Sequence, residues 1–212
     1  MDKAFWDERW RENRIGFHKA AANPLLTGYF DRLHLSPGGR VFVPLCGKSF
    51  DLDWLLSRGH AVVGIELYEP AVAEVFDRLG LRPRIDALSG LRRYSADELV
   101  IFAGDLFHLT SELLGSVDAV YDRAALIALP PDMRARYAAH VTAICGAVPQ
   151  LLITLDYDQS LTDGPPFSVP GDEVRALYGA SHWTEKLHVQ PITGSVAKSA
   201  KGEETLWSLK PL

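Results

Sequence analysis

The sequence predicts one α/β domain with a doubly wound, mostly parallel, seven-stranded sheet that ends in an antiparallel hairpin. Three observations carry this. Short β-branched and aromatic runs alternate with stretches of helical period, the pattern of strands paired in parallel through crossover helices. No repeat, low-complexity tract or block of like charge divides the 212 residues, so residues 1–212 read as one unit. Apolar residues at 47% and charged residues at 23% are the proportions of an ordinary globular protein.

Each element follows from its own pattern. Ala4–Glu12 sets Phe5 or Trp6 with Arg9 and Trp10 at helical spacing. Pro24–Leu35 carries Leu25, Leu26, Tyr29, Phe30 and Leu33 on one stripe, and Pro37-Gly38-Gly39 ends it. Val41–Cys46, opened by Arg40, has the look of a buried strand. Ser49–Arg58 is a helix with Leu52, Leu55 and Leu56 inward, and Ala61–Glu66 is the second strand. Glu69–Leu79 presents Val72, Val75, Phe76 and Leu79 on one face and stops at Gly80, a normal helix end. Leu99–Gly104, Asp118–Tyr121 and Leu151–Leu155 are further strands, the last preceded by a helix over Arg134–Ile144. Thr184–Gln190 and Glu204–Leu209, separated by the Gly- and Lys-rich stretch Gly194–Gly202, form the closing pair.

Composition narrows the partners. Lys plus Arg is 22 against 27 Asp plus Glu, a net charge of −5 that leaves no cationic excess for nucleic acid or an anionic membrane. Apolar runs stop far short of the ~18 residues of a membrane span. The start, MDKAFWDERW, lacks a signal pattern, and the two cysteines, Cys46 and Cys145, are too few for a disulfide framework, so a reducing cytoplasm is expected. The seven histidines show no metal-ligand spacing, so no metal is expected. No heptad or long apolar edge demands a second copy, so a monomer is expected.

In an open α/β sheet, ligands bind beyond the carboxyl ends of the strands. After the first strand, Gly47-Lys48-Ser49 echoes a phosphate loop, but Phe42 stands where that motif needs its first glycine. The fingerprint G-x-G-x-x-G of dinucleotide enzymes and the G-x-S-x-G elbow of hydrolases are both missing. Glu66 ends the second strand about twenty residues beyond that loop, where a carboxylate can accept from both hydroxyls of a ribose or simply be a solvated strand-end acid. Asp105-Leu106, after the third strand, can offer an acceptor and an apolar wall to a purine, or Asp105 can cap a helix. Arg123 can orient an anion or pair with Asp122. Asp156 and Asp158 share one strand face, as an acid/base pair or as turn and cap residues. Trp6 and Trp10 are a packing pair, or with Phe17 an aromatic lid built from residues 1–36, and Phe167 in the loop Gly164–Pro170 can close the opposite side.

The stretches FWDERW with IGFH, RVFVPLCGKSFDLDWLLSRGHAVVGIE, YDRAALIALPP, and LITLDYDQ with GPPFSVP resemble, in order and spacing, the thiopurine S-methyltransferase family in its prokaryotic-length form. The resemblance implies a class I methyltransferase fold, Rossmann-like, that binds S-adenosyl-L-methionine. It implies methyl transfer to the sulfur of thiopurines and other aromatic or heterocyclic thiols. It assigns Trp10, Leu45, Glu66 and Arg123 to the cofactor, Asp105 and Leu106 to its adenine, and Phe17 to the substrate. No obligatory catalytic base is implied, since a sulfonium methyl is already activated and positioning can provide most of the rate. Arg123 is then the orienting cation for an anionic group. The alternatives are inorganic selenium or tellurium acceptors at the same site, a dinucleotide-dependent oxidoreductase, and a module that binds the cofactor without turnover.

Overall fold

A computed structural model describes residues 3–194 and 196–212. One sheet of nine strands, not the expected seven, runs through it. Its strands are β1 (Arg40–Val43), β2 (Ala61–Glu66), β3 (Arg84–Leu88), β4 (Leu91–Ala96), β5 (Leu99–Gly104), β6 (Ala119–Asp122), β7 (Gln150–Tyr157), β8 (His182–Pro191) and β9 (Gly202–Pro211). Their order is β3-β4-β5-β2-β1-β6-β7-β9-β8. The middle five pair in parallel. The closing pair is antiparallel as expected, with β9 inserted between β7 and β8.

The two unexpected strands, β3 and β4, form an antiparallel hairpin around Ser89-Gly90 that extends the β5 edge. Gly90 sits at φ +76°, and its neighbour in space, His108, leaves no room for a side chain there. The helix expected over Pro24–Leu35 is shorter: α2 (Pro24–Tyr29) passes into a 3-10 turn over Phe30–Leu33, ended by His34 in the left-handed region. The other helices are α1 (Lys3–Arg11), α3 (Phe50–Ser57), α4 (Glu69–Arg78), α5 (Ser111–Leu114), α6 (Pro131–Cys145) and α7 (Gly171–Tyr178). None is long and apolar enough to cross a membrane among the described residues.

Strand alternation divides the core between the two faces of the sheet. Val41, Val43, Val62, Ile101 and Ile153 pack under Leu26 of α2, Leu52 and Leu55 of α3, and Val72, Val75 and Phe76 of α4. Phe42, Val63, Phe102, Val120 and Leu152 face the other way, against Tyr137 and Val141 of α6 and Val174 and Tyr178 of α7. Trp207 of β9 is fully buried, and its Nε1 donates to Thr154 Oγ1 at 2.9 Å. With helices covering both faces, the carboxyl ends of the parallel strands are left to form a site.

Candidate functional site

The ends of β1, β2, β6 and β7 open into one cavity that also borders α1 and the loop after it. Trp10, Phe17, Leu45, Glu66 and Arg123, chosen from sequence, all line it. Three residues around its floor hold left-handed backbone: Leu45 at φ 45°, Gly47 at φ 53° and Ala124 at φ 60°. For Leu45 and Ala124 this conformation costs roughly 1–3 kcal/mol, a strain that the packed strand ends must sustain.

Glu66 is buried at 6% exposure where β2 stops. Its Oε2 accepts from the Gly47 amide at 2.9 Å and its Oε1 from the Tyr68 amide at 2.8 Å. Burial pushes its carboxyl up to about 7, against the lowering effect of the Tyr68 and Gly47 amides. The turn at Gly47 brings that amide to the carboxylate, and the Trp10 ring lies 3.5 Å from where a Gly47 side chain would be. Trp10 is stacked on Tyr68 with 5.4 Å between ring centres and meets Phe17 edge-on at 5.5 Å. Aromatic walls thus stand beside a carboxylate whose oxygens retain lone pairs for further donors.

Arg123 does not pair with Asp122. Alternation at the end of β6 sends the two to opposite sides. Asp122 is buried, accepting from Tyr137 Oη at 2.7 Å and the Leu126 amide at 3.1 Å, and burial lifts its carboxyl to about 6. Arg123 reaches Asp51 instead: its Nη1 donates to Asp51 Oδ2 at 3.0 Å and to Ser49 Oγ at 3.3 Å, and its Nη2 to the Phe17 carbonyl at 2.8 Å. Asp51, 1% exposed, also accepts from the Asn23 amide at 2.6 Å and from Tyr121 Oη at 3.2 Å. This network ties α3, β6 and the N-terminal segment together at the cavity wall. His18 borders the same wall, and burial together with the charges of Lys48 and Arg78 lowers its pKa, which favours the neutral ring.

Asp105 and Leu106 are not among the cavity's lining residues. Asp105 caps a 3-10 turn, accepting from the Phe107 amide at 3.0 Å, and Leu106 is fully buried in the core. Phe167 is also not among the lining residues, while its neighbours Pro165 and Pro166 are. Asp158 caps the turn over Gln159–Leu161 and Asp156 is exposed, and neither lines the cavity. Asp51, Tyr121 and Glu204 line the cavity without having been singled out from sequence. Asp51 reads there as an ordinary acid in the first turn of α3, and only the fold brings it to Arg123.

A mixed sheet of this order with five parallel strands at its centre, and a carboxylate ending β2 beside a strand-end cavity, is the class I methyltransferase fold. Solved structures agree on that fold. The Burkholderia thailandensis 1,6-didemethyltoxoflavin-N1-methyltransferase aligns with a TM-score of 0.67 over 99% of this chain and 87% of its own, at 18% identity. A TehB-like SAM-dependent methyltransferase from Corynebacterium glutamicum aligns with a TM-score of 0.60 over 99% and 98%, at 14% identity. Sequence comparison goes further. The profile of the thiopurine S-methyltransferase (TPMT) family matches residues 1–210. Thiopurine S-methyltransferases of Xanthobacter autotrophicus and Gluconobacter oxydans are 48% and 47% identical, with 99% and 98% of this chain and 99% and 94% of theirs covered. The chain belongs to the thiopurine S-methyltransferase family and is an S-adenosylmethionine-dependent methyltransferase. Both relatives are named for thiopurines, not for selenium or tellurium species.

Proposed function

We propose that this protein transfers the methyl group of S-adenosyl-L-methionine to the sulfur of thiopurines and other aromatic or heterocyclic thiols. The observation that carries it is the meeting of Trp10, Leu45, Glu66 and Arg123 around one cavity in a chain of this family. The residues fit the methyl donor: Glu66 keeps free lone pairs at the β2 end where a ribose needs acceptors, and Trp10 offers an apolar wall. When bound, the donor supplies a sulfonium methyl already activated for displacement.

The chain's own part is to position and to exclude water. Glu66 holds the ribose, and Asp105, which follows the neighbouring strand β5 outside the cavity lining, is assigned to the adenine by the family resemblance alone. Leu106 supports that end from the core. Arg123 orients an anionic group at the reacting end. The N-terminal segment through residue 36 acts as a lid, with Trp10 and Phe17 against the site and the Phe17 carbonyl and Asn23 amide fastened to Arg123 and Asp51. In the proline loop opposite, the Phe167 ring lies against Gly164 and leaves no room there for a side chain. A thiolate that has already lost its proton to water needs no base: its lone pair forms the new carbon–sulfur bond, and the pair of the broken bond stays on the departing sulfur. We read the whole chain as one domain, a monomer of the cytoplasm acting on small molecules rather than nucleic acid. A single sheet from Arg40 to Pro211, net charge −5 and two free thiols support this.

The test is transfer of labelled methyl to 6-mercaptopurine, with Glu66→Ala alongside. Label in the purine, reduced in the variant, is expected. No transfer by wild-type protein that still binds S-adenosylhomocysteine would overturn the proposal.

A further inference from the structure

Three carboxylates line the cavity: Asp51, Glu66 and Glu204. Asp51 is engaged by the Arg123 guanidinium, the Asn23 amide and Tyr121 Oη. Glu66 lies at the β2 end. Glu204 is in β9, opposite Leu155 of β7 on one side and Gln190 of β8 on the other. In the order β2-β1-β6-β7-β9 it stands four strands from Glu66, about 19 Å at ordinary strand spacing.

That separation divides the cavity. If Glu66 takes the ribose, the far end over β7 and β9 is left for the methyl acceptor. Its walls are mostly apolar, with Ile127, Ile153, Leu155, Pro165 and Pro166, and Lys19 stands beside Gly194 at the same lining. Such walls hold a flat heterocycle by area but cannot tell a purine from a benzene ring, because apolar contact does not read hydrogen-bond donors. Glu204 can. Its Oε2 accepts from Gln190 Nε2 at 2.6 Å, which fixes the carboxylate in place and uses only one of its roughly four acceptor positions. Half-buried among the residues that line the cavity, it keeps acceptor positions for a further N–H.

We propose that Glu204 is a specificity-determining residue, accepting from a ring N–H of the heterocyclic thiol and so selecting purine-type acceptors over simple aromatic thiols. Gln190 is its positioning residue. The inference rests on the thiol-methylating reading above and adds to it which residue reads the acceptor. It assigns Glu204 no proton transfer, and the displacement at sulfur is unchanged.

The experiment compares wild type, Glu204→Gln and Glu204→Asp on two acceptors, 6-mercaptopurine and thiophenol, the latter having no ring N–H. Calorimetric binding of each acceptor in the presence of S-adenosylhomocysteine gives a readout apart from turnover. Glu204→Gln is expected to lower kcat/KM for 6-mercaptopurine about tenfold or more, mostly through KM, and to weaken its binding in step. Thiophenol should change less than about twofold, a bound set by a contact it does not make. Glu204→Asp, which keeps the charge but shortens the reach, should fall between. Equal losses on both acceptors, or no loss on either, would overturn the assignment. Wild-type protein that methylates neither acceptor while binding S-adenosylhomocysteine would instead overturn the proposed function, an outcome distinct from both.

Discussion

The two ends of the cavity are built differently. At the β1–β2–β6 end, polar groups are held by fixed hydrogen-bond partners: Glu66 by two backbone amides, Asp51 by an amide, a phenol and a guanidinium, Arg123 by a carbonyl. At the β7–β9 end, apolar side chains and two consecutive prolines do most of the lining. A fixed network suits a ligand whose hydrogen-bonding groups never vary, because each unmet partner is costly to bury. An apolar wall suits a set of acceptors that share a flat shape, because it discriminates weakly. The difference separates affinity for the methyl donor from breadth towards acceptors, and each side can be perturbed alone.

The harshest way to break the comparison is to remove Arg123. Arg123→Ala leaves Asp51, 1% exposed, without its cation, and the expected loss is about 3–5 kcal/mol of stability by chemical denaturation, together with activity. Next comes pH. Burial raises the Glu66 carboxyl from an ordinary 4.5 to about 7, so between those values the folded chain holds a proton that the unfolded chain has released. Stability relative to Glu66→Gln should therefore fall as pH rises from 4.5 to about 7, by up to roughly 3 kcal/mol, and level off above. Urea titrations of both proteins at several pH values would show it, and a constant difference would refute it. Affinity for S-adenosylhomocysteine should run the opposite way, tightening as the carboxylate ionises. Glu66→Ala should weaken that affinity by about 1.5–3 kcal/mol in calorimetry, the scale of a hydrogen bond to a charged group.

The acceptor end sharpens the contrast. Leu155→Ala should raise the acceptor KM by about 1–2 kcal/mol in equivalent terms, leaving the affinity for S-adenosylhomocysteine unchanged. A change in both constants would show the two ends to be coupled. Smallest of all, Lys210→Ala removes an exposed partner of Glu185, a residue outside the cavity lining, and should leave both the thermal melt and the kinetics unaltered.

The parallel core was legible because its strands are buried on both faces and read as continuous apolar runs, as in Ala61–Glu66. The β3–β4 hairpin was not. It lies at the sheet edge, mixes Arg84, Asp86, Arg92 and Arg93 into its strands, and keeps only Leu91 and Tyr94 buried. Helix α7 escaped notice for a similar reason, with only Val174 and Tyr178 buried in a short polar segment. At the site, position after a strand pointed to Glu66 and Arg123, which line the cavity, and equally to Asp105 and Leu106, which do not; Leu45 came from the family resemblance. Asp51 could not be found that way, because its partner lies 72 positions away and no local pattern records a long-range ion pair.

Strand β9 leaves the ribosome after β7 and β8 yet lies between them. Until it is made, β7 presents an open edge and β8 has no neighbour to pair with. Closure of the sheet, and burial of Trp207, must wait until β9 itself has been made. The nascent protein thus passes through a state whose exposed edge invites association with other chains, and a chaperone that shields it would raise the yield of folded enzyme.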